Sequence, residues 1–182
     1  MPKLRTLLLL LVLLPACAGR PPHQGDDPAA VAESSLTGVG DPAPLFTAPL
    51  LGGGSFDLEA QRGKVVLVNF FATWCPPCIA EMPHLQAEVW ERFAGDGFAM
   101  VSVAREEGAE VVAPFVQKHG AGWPFALDTD RSVFARYADA FIPRSYVLDR
   151  SGRILFQGQG YEEAEFAHMV EVIAAELAKP SP

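Results

Sequence analysis

The sequence has few basic residues and no metal-ligand pattern. Its 182 residues include 14 Lys+Arg against 22 Asp+Glu, for a formal net charge of -8. No Lys/Arg cluster is dense enough to neutralise a run of phosphates, which excludes a nucleic-acid partner. The four histidines are scattered without ligand spacing, and the chain contains no flavin, haem or nicotinamide motif. We therefore expect no metal and no cofactor.

The sequence also lacks an apolar run long enough to cross a bilayer, which takes about 20 residues. The apolar block Leu7–Leu14 is shorter, follows Lys3 and Arg5, and precedes Pro15 and Ala16. A signal peptide has this pattern, with an apolar core of roughly 7 to 15 residues behind a basic start. We therefore predict that residues 1–16 are a signal peptide and that the protein is exported.

The residues after this block predict an anchor and a linker. Leu14–Cys17 resembles a bacterial lipobox, in which the chain is cut before the cysteine and the cysteine is lipidated. The alternative is an ordinary signal peptide with an incidental Cys17. Residues 17–40 have no periodic apolar face, which predicts a flexible tether, so the folded domain is expected over 41–182. This predicts a protein lipid-anchored to a bacterial membrane, with its domain in the periplasm or extracytoplasmic space.

Apolar patterning downstream predicts an α/β domain. Val65–Phe71 is rich in β-branched and aromatic residues, which is typical of a strand buried on both sheet faces. An apolar stripe at helical spacing predicts a helix over Cys78–Ala94, kinked by Pro83. The order of elements indicates a three-layer α/β domain, with a mixed central sheet that is flanked by helices and covered on both sides. The other predicted elements are a hairpin (Leu45–Leu50, Ser55–Leu58), strands (Phe98–Ala104, Phe125–Leu127, Ser145–Leu148, Ile154–Gln157) and helices (Ala109–His119, Arg131–Ala138, Glu162–Ala178).

Two cysteines, Cys75 and Cys78, lie where the buried strand gives way to a helix. Residues i and i+3 of a first helical turn project the same way, so the pair can form a disulfide. The helix start stabilises a thiolate, which makes Cys75 the candidate nucleophile and Cys78 the shielded resolving cysteine. The alternatives are a structural disulfide or half of a zinc site, for which the chain offers no second pair.

The prolines between the cysteines predict the direction of the redox reaction. Pro76 and Pro77 remove two backbone N–H donors that could otherwise face the Cys75 sulfur. Fewer donors stabilise the thiolate less, and a less stable thiolate makes a dithiol pair more reducing. We therefore expect a reductant rather than a strong oxidant.

Three segments carry a family resemblance: Gly63–Cys75, Cys78–Pro83 and Phe141–Asp149. They resemble the thioredoxin-fold thiol:disulfide oxidoreductases of the TlpA/ResA type. This implies a thioredoxin fold with an N-terminal β-hairpin and a helical insertion before the strand that follows a cis proline. It also implies that the Ile142–Pro143 bond is cis, and that Ile142 and Pro143 join Trp74, Pro76 and Pro77 in binding substrate.

Glu81 occupies the acidic position of that family, three residues after the second cysteine. It is expected to accept the Cys78 proton or to raise the pKa of that thiol. The alternative is a solvated carboxylate near the helix start, favoured by the helix dipole. Thioredoxins carry a buried Asp where this chain has Asn69, which cannot shuttle a proton. In the insertion, Trp123, Pro124, Asp128 and Asp130 either pack and cap or line a recognition surface.

The leading hypothesis is therefore a membrane-tethered thiol:disulfide oxidoreductase with Cys75, Cys78 and Glu81 as catalytic residues. The resemblance implies exported thiol or disulfide proteins as partners, such as apocytochrome c, and a membrane electron donor of the thiol type. One alternative is a thiol peroxidase of the peroxiredoxin or glutathione-peroxidase type. Another is a noncatalytic module whose disulfide is structural.

Overall fold

A computed structural model describes residues 28–95 and 97–180. The predicted signal peptide (1–16) and lipidation site (Cys17) lie outside the described residues. Within those residues, no helix combines the length and the apolar composition needed to cross a bilayer.

Five strands form one mixed sheet in the order β5-β4-β3-β6-β7, and a separate hairpin pairs β1 with β2. Strands β3, β4 and β5 run parallel, while β6 is antiparallel to both β3 and β7. The predicted mixed sheet and N-terminal hairpin are confirmed. The strands are β1 (Thr47–Pro49), β2 (Ser55–Asp57), β3 (Val65–Phe71), β4 (Phe98–Arg105), β5 (Phe125–Asp128), β6 (Arg144–Leu148) and β7 (Ile154–Gln159).

Strand β3 is buried along its whole length and separates two apolar clusters. Because side chains alternate in a strand, Leu67 and Phe71 face one cluster while Val68 and Phe70 face the other. Helical segments cover the first face, and the β1/β2 hairpin covers the second. The helices are α1 (Pro28–Glu33), α2 (Pro76–His84), α3 (Glu91–Phe93), α4 (Ala109–His119) and α5 (Glu163–Leu177).

The helix predicted over Cys78–Ala94 changes its winding partway. α2 is followed by a π-helical stretch, Leu85–Trp90, and then by α3. Pro83 has no N–H to donate to the preceding turn, and the wider winding begins two residues after it. The helix therefore changes from α to π winding just after Pro83.

The helix predicted over Arg131–Ala138 is wrong, because only Phe134–Arg136 forms a 3-10 turn. Arg131 has a φ of 63°, a left-handed conformation that an α-helix does not accommodate. The Asp128 carboxylate accepts hydrogen bonds from the backbone N–H groups of Val133 at 2.9 Å and Phe134 at 2.8 Å. These two bonds hold the chain in a capped turn.

The chain joins the domain earlier than the predicted boundary at Asp41. Arg144 on β6 is fully buried, and its guanidinium donates to Ser35 Oγ at 2.9 Å and Ser34 Oγ at 2.6 Å. The backbone N–H of Leu36 donates to the Tyr137 carbonyl at 3.0 Å. A buried guanidinium must have acceptors, and two serines of the expected tether supply them. The part of the tether after Glu33 therefore packs on the domain.

Candidate active site

Cys75 and Cys78 form a disulfide at the start of α2, with their Cα atoms 5.3 Å apart. Cys75 is the N-cap residue, in an extended conformation that ends the loop after β3. Its sulfur accepts the backbone N–H of Cys78 at 3.3 Å. Cys75 is 3% exposed and Cys78 is 1% exposed. The predicted position at a strand-to-helix junction is confirmed.

Pro76 and Pro77 occupy the first two positions of α2 and are exposed. Neither carries an N–H, so neither can donate to the Cys75 sulfur. The N–H of Cys78 is the donor that the first turn retains for that sulfur. The geometry thus agrees with the expected loss of donors and identifies the remaining one.

The Ile142–Pro143 peptide bond is cis, as the family resemblance implies. The Ile142 carbonyl oxygen lies 3.6 Å from Cys75 Sγ, which places this loop directly against the disulfide. Trp74, beside Cys75, is 67% exposed. The structure therefore brings the residues predicted to bind substrate to one end of the sheet, around a disulfide that is itself nearly covered.

Glu107, which the sequence reasoning missed, holds the loop before the cysteines. Its carboxylate accepts the Thr73 backbone N–H at 2.7 Å and the Thr73 hydroxyl at 2.6 Å. Two short hydrogen bonds donated to one carboxylate fix Thr73, the residue before Trp74. No local sequence pattern reveals this contact, because the two residues lie on loops after different strands.

Glu81 is buried, only 3% exposed, one helical turn beyond Cys78. The alternative of a solvated carboxylate is therefore wrong. Burial raises the pKa of Glu81 to about 8, because the charged form is desolvated, while hydrogen bonds from Asn69 and Ser145 act in the opposite direction. A carboxyl group with this pKa exchanges protons with a thiol at little cost, since an ordinary cysteine has a pKa of about 8.5.

A row of polar side chains crosses the sheet beneath Glu81. Asn69 on β3 is in register with Ser102 on β4 and with Ser145 on β6. The Asn69 amide donates to Glu81 Oε2 at 3.0 Å and to Ser145 Oγ at 3.1 Å, and it accepts the Ser102 hydroxyl at 3.0 Å. The Trp123 indole N–H completes the row by donating to Ser102 Oγ at 2.8 Å.

Pro124 and Asp130 are exposed, whereas Trp123 and Asp128 are 4% and 2% exposed, so the latter two line no recognition surface. Both pack and cap, which was the other alternative for this stretch. In the part of the chain that the structure describes, no group of three or more His, Cys, Asp or Glu residues could hold a metal ion. The chemistry that the site offers is thiol-disulfide exchange with a buried carboxyl group within one helical turn.

Comparisons with known proteins agree with this site. The Redoxin family model matches residues 38–175. The thiol-disulfide oxidoreductase ResA of Bacillus thuringiensis (strain Al Hakam) is 29% identical over 158 residues, covering 87% of this chain and 88% of that protein. A thiol:disulfide interchange protein of Chlorobium tepidum TLS has a TM-score of 0.66 and 28% identity, over 78% of this chain and 99% of that one.

A secreted Mycobacterium tuberculosis disulfide oxidoreductase homologous to E. coli DsbE superposes with a TM-score of 0.62 and 25% identity, over 71% of this chain and 95% of that one. The family expected from the sequence is confirmed together with its thioredoxin-like fold. The chain thus belongs to the Redoxin family and is a thiol-disulfide oxidoreductase of the ResA/TlpA type.

Proposed function

We propose that this protein is exported, held on a bacterial membrane by a lipid on Cys17, and reduces disulfides in other exported proteins. The proposal rests on the small number of hydrogen-bond donors near the Cys75 sulfur. The Cys75 sulfur receives an N–H from Cys78, while the two intervening residues are prolines that can donate none. A thiolate with so few donors gains little stabilisation, which favours the reducing direction.

The reaction begins when the Cys75 thiolate attacks a substrate disulfide. A bond forms between Cys75 Sγ and one substrate sulfur, the substrate S–S bond breaks, and the other sulfur leaves as a thiolate. Cys78 then gives its proton to the Glu81 carboxylate, and the Cys78 thiolate attacks Cys75 Sγ. The second substrate thiolate is released, and two electrons have passed from the cysteine pair to the substrate.

A dithiol donor at the membrane restores the reduced pair by the reverse chemistry. One donor thiolate attacks Cys75 Sγ, and Cys78 leaves while it takes the proton from Glu81. The second donor thiolate then attacks the mixed disulfide, which releases the Cys75 thiolate and the oxidised donor. A pKa of about 8 lets Glu81 act as acid in this half-reaction and as base in the other.

Two observations support the proposed location, and the family resemblance supports the proposed substrate. The start of the sequence has the pattern of a signal peptide followed by a lipobox, and the related M. tuberculosis oxidoreductase is described as secreted. Apocytochrome c is the substrate that the TlpA/ResA resemblance favours, because its haem-binding cysteines must be reduced before haem attaches.

Trapping of mixed disulfides in cells tests the proposal. Cys78→Ser prevents resolution, so Cys75 should accumulate covalent adducts with exported proteins, including apocytochrome c. Cys75→Ser is the matched control and should capture none. Adducts absent from both variants would contradict an exchange role, and peroxide turnover without any protein substrate would favour a peroxidase. A reduction potential as high as about -120 mV, typical of strong oxidants, would overturn the reducing direction.

A further inference from the structure

The polar row under Glu81 donates hydrogen bonds toward it in a single direction. Trp123 donates to Ser102, Ser102 to Asn69, and Asn69 to Glu81 Oε2. An amide N–H cannot accept a proton, so Oε2 is held as an acceptor. Oε1 accepts the Ser145 hydroxyl at 3.4 Å. A hydroxyl can turn to accept instead, which an amide N–H cannot do, so a proton bound to Glu81 sits on Oε1. The Asn69 amide N–H, which is the part of the row that contacts Glu81, cannot accept this proton.

A small cavity lies beside Glu81 and Ser145, between β7 and α5. Its volume is about 10 Å³, and its lining includes Glu81, Ser145, Gly158 and Glu165. A space of this size holds about one water molecule, and such a water needs two to four polar partners. Glu81, Ser145 and Glu165 are three of the polar side chains of this lining, and they meet that requirement.

Gly158 is what keeps the space open. It is buried on β7 directly opposite Ser145 on β6. A Cβ at this position would lie 2.8 Å from the Phe156 ring and 3.2 Å from Glu165 Oε1. A side chain here would therefore occupy the gap that separates the Glu165 carboxylate from the polar row. Glu165 itself is exposed at its outer side, so it connects the cavity to solvent.

We propose that one water molecule occupies this cavity and links Glu81 to Glu165, and that Glu165 is a positioning residue that sets the proton affinity of Glu81. The inference rests on the proposed role of Glu81 in exchanging a proton with Cys78. Glu165 touches neither sulfur, and it acts through the water and through its own charge.

The charges around Glu81 come from several elements. The like charge of Glu165 raises the pKa of Glu81, in addition to the larger effect of burial. The pKa of Glu165 is itself raised by partial burial and by Glu162, while His168 opposes the shift. The groups packed around the carboxyl are the neutral Asn69 and Ser145 from the sheet, Tyr161 from the loop before α5, and Glu162 and Glu165 from around the start of α5. Tyr161 in turn lies against the His84 ring, which contacts the Glu88 carboxylate.

Carbon-13 NMR titration of the Glu81 side-chain carboxyl tests the proposal in the oxidised full chain. Glu165→Gln removes a like charge and should lower the pKa of Glu81. Gly158→Ala fills the cavity and expels the water that solvates the carboxylate, so it should raise this pKa. Glu163→Gln removes a neighbouring exposed charge that does not line the cavity, and its shift should be smaller than that of Glu165→Gln.

Opposite shifts in the two variants support the linked water and positioning residue. A Glu165→Gln titration indistinguishable from that of Glu163→Gln would overturn the proposal. A Gly158→Ala pKa that stays unchanged or falls would overturn the water site, and if this variant does not fold, Glu165→Gln still decides the role of Glu165. The titration involves no substrate, so its outcome is independent of whether mixed disulfides are trapped in cells.

Discussion

Both faces of the central sheet carry an apolar cluster, but the hairpin side centres on packed aromatic rings (the aromatic face), while the helix side also holds the buried polar row. On the hairpin side, Phe70 lies 5.3 Å from Phe134, 5.1 Å from Tyr137 and 5.9 Å from Tyr146, measured between ring centroids. On the helix side, the residue before Phe70 is Asn69, the centre of the polar row. Adjacent residues of one strand thus serve an aromatic core and a buried hydrogen-bond network.

The contrast shows how a stable fold can hold a carboxyl group away from water. The aromatic face stabilises the domain through apolar burial and ring packing. On the other face, Glu81 loses hydration that its hydrogen bonds do not fully replace, which is why its pKa is raised. Apolar burial on both faces therefore offsets the cost of the polar row, and variants of the aromatic face and of the row should behave differently.

The largest expected effect is on the aromatic face. Phe70→Ala should lower the free energy of unfolding by about 3–5 kcal/mol, because it leaves a cavity among several rings. Chemical denaturation measures this loss. The titration of Glu81 in the folded variant should not change, since Phe70 faces away from the row, and a shifted titration would show that the two faces are not separate.

The next effect is a loss of stability as the pH rises. The folded protein holds a proton on Glu81 up to a pH of about 8, whereas the unfolded chain releases it near 4.5. The free energy of unfolding of the oxidised protein should therefore fall by a few kcal/mol between these values. Denaturation at a series of pH values measures the slope. Glu81→Gln should flatten it, and an equally steep slope in that variant would assign the effect to other groups.

A smaller effect is expected when the row is broken at its centre. Asn69→Ala leaves buried polar groups without partners and should cost about 1–3 kcal/mol. It should also raise the pKa of Glu81 further, because the Asn69 donor favours the charged form. Val68→Ala, which faces the aromatic cluster, is the matched control and should destabilise the fold without moving the titration. Equal shifts of the Glu81 pKa in both variants would contradict the effect assigned to the Asn69 hydrogen bond.

The smallest effect lies at the end of the row. Trp123→Phe keeps an aromatic side chain but removes the indole N–H that reaches Ser102, at a cost of about 1 kcal/mol. Trp90→Phe makes the same change at a half-buried tryptophan outside the row and controls for lost ring volume. Thermal unfolding of both variants gives the comparison, and equal losses would mean that the indole hydrogen bond adds no stability.

The local sequence pattern was sufficient to predict the central strand and the position of the cysteine pair. Val65–Phe71 is apolar at six of its seven positions and rich in β-branched and aromatic residues, a pattern typical of a strand buried on both faces. Cys75 and Cys78 follow it directly, at the spacing of one helical turn. The cis bond before Pro143 was available only from the family resemblance, since most X-Pro bonds are trans.

The polar row could not be predicted in the same way. Ser102 and Ser145 are small polar residues within apolar strands, and their meaning depends on strand register, which brings both beside Asn69. The burial of Glu81 likewise depends on α5 and β7, far along the chain. The expected helix over Arg131–Ala138 failed for a related reason, because a carboxylate from β5 caps the turn from outside the segment.

The short N-terminal stretch before β3 protects both open sides of the sheet. Leu50 forms a bridge with Ala126 on β5, and the Leu51 N–H donates to the Phe125 carbonyl at 2.8 Å. At the other side, the Ile154 N–H of β7 donates to the Asp41 carbonyl at 2.9 Å. Unpaired strand edges invite edge-to-edge association between copies. These contacts occupy edge groups on β5 and β7, which makes this stretch a safeguard against aggregation.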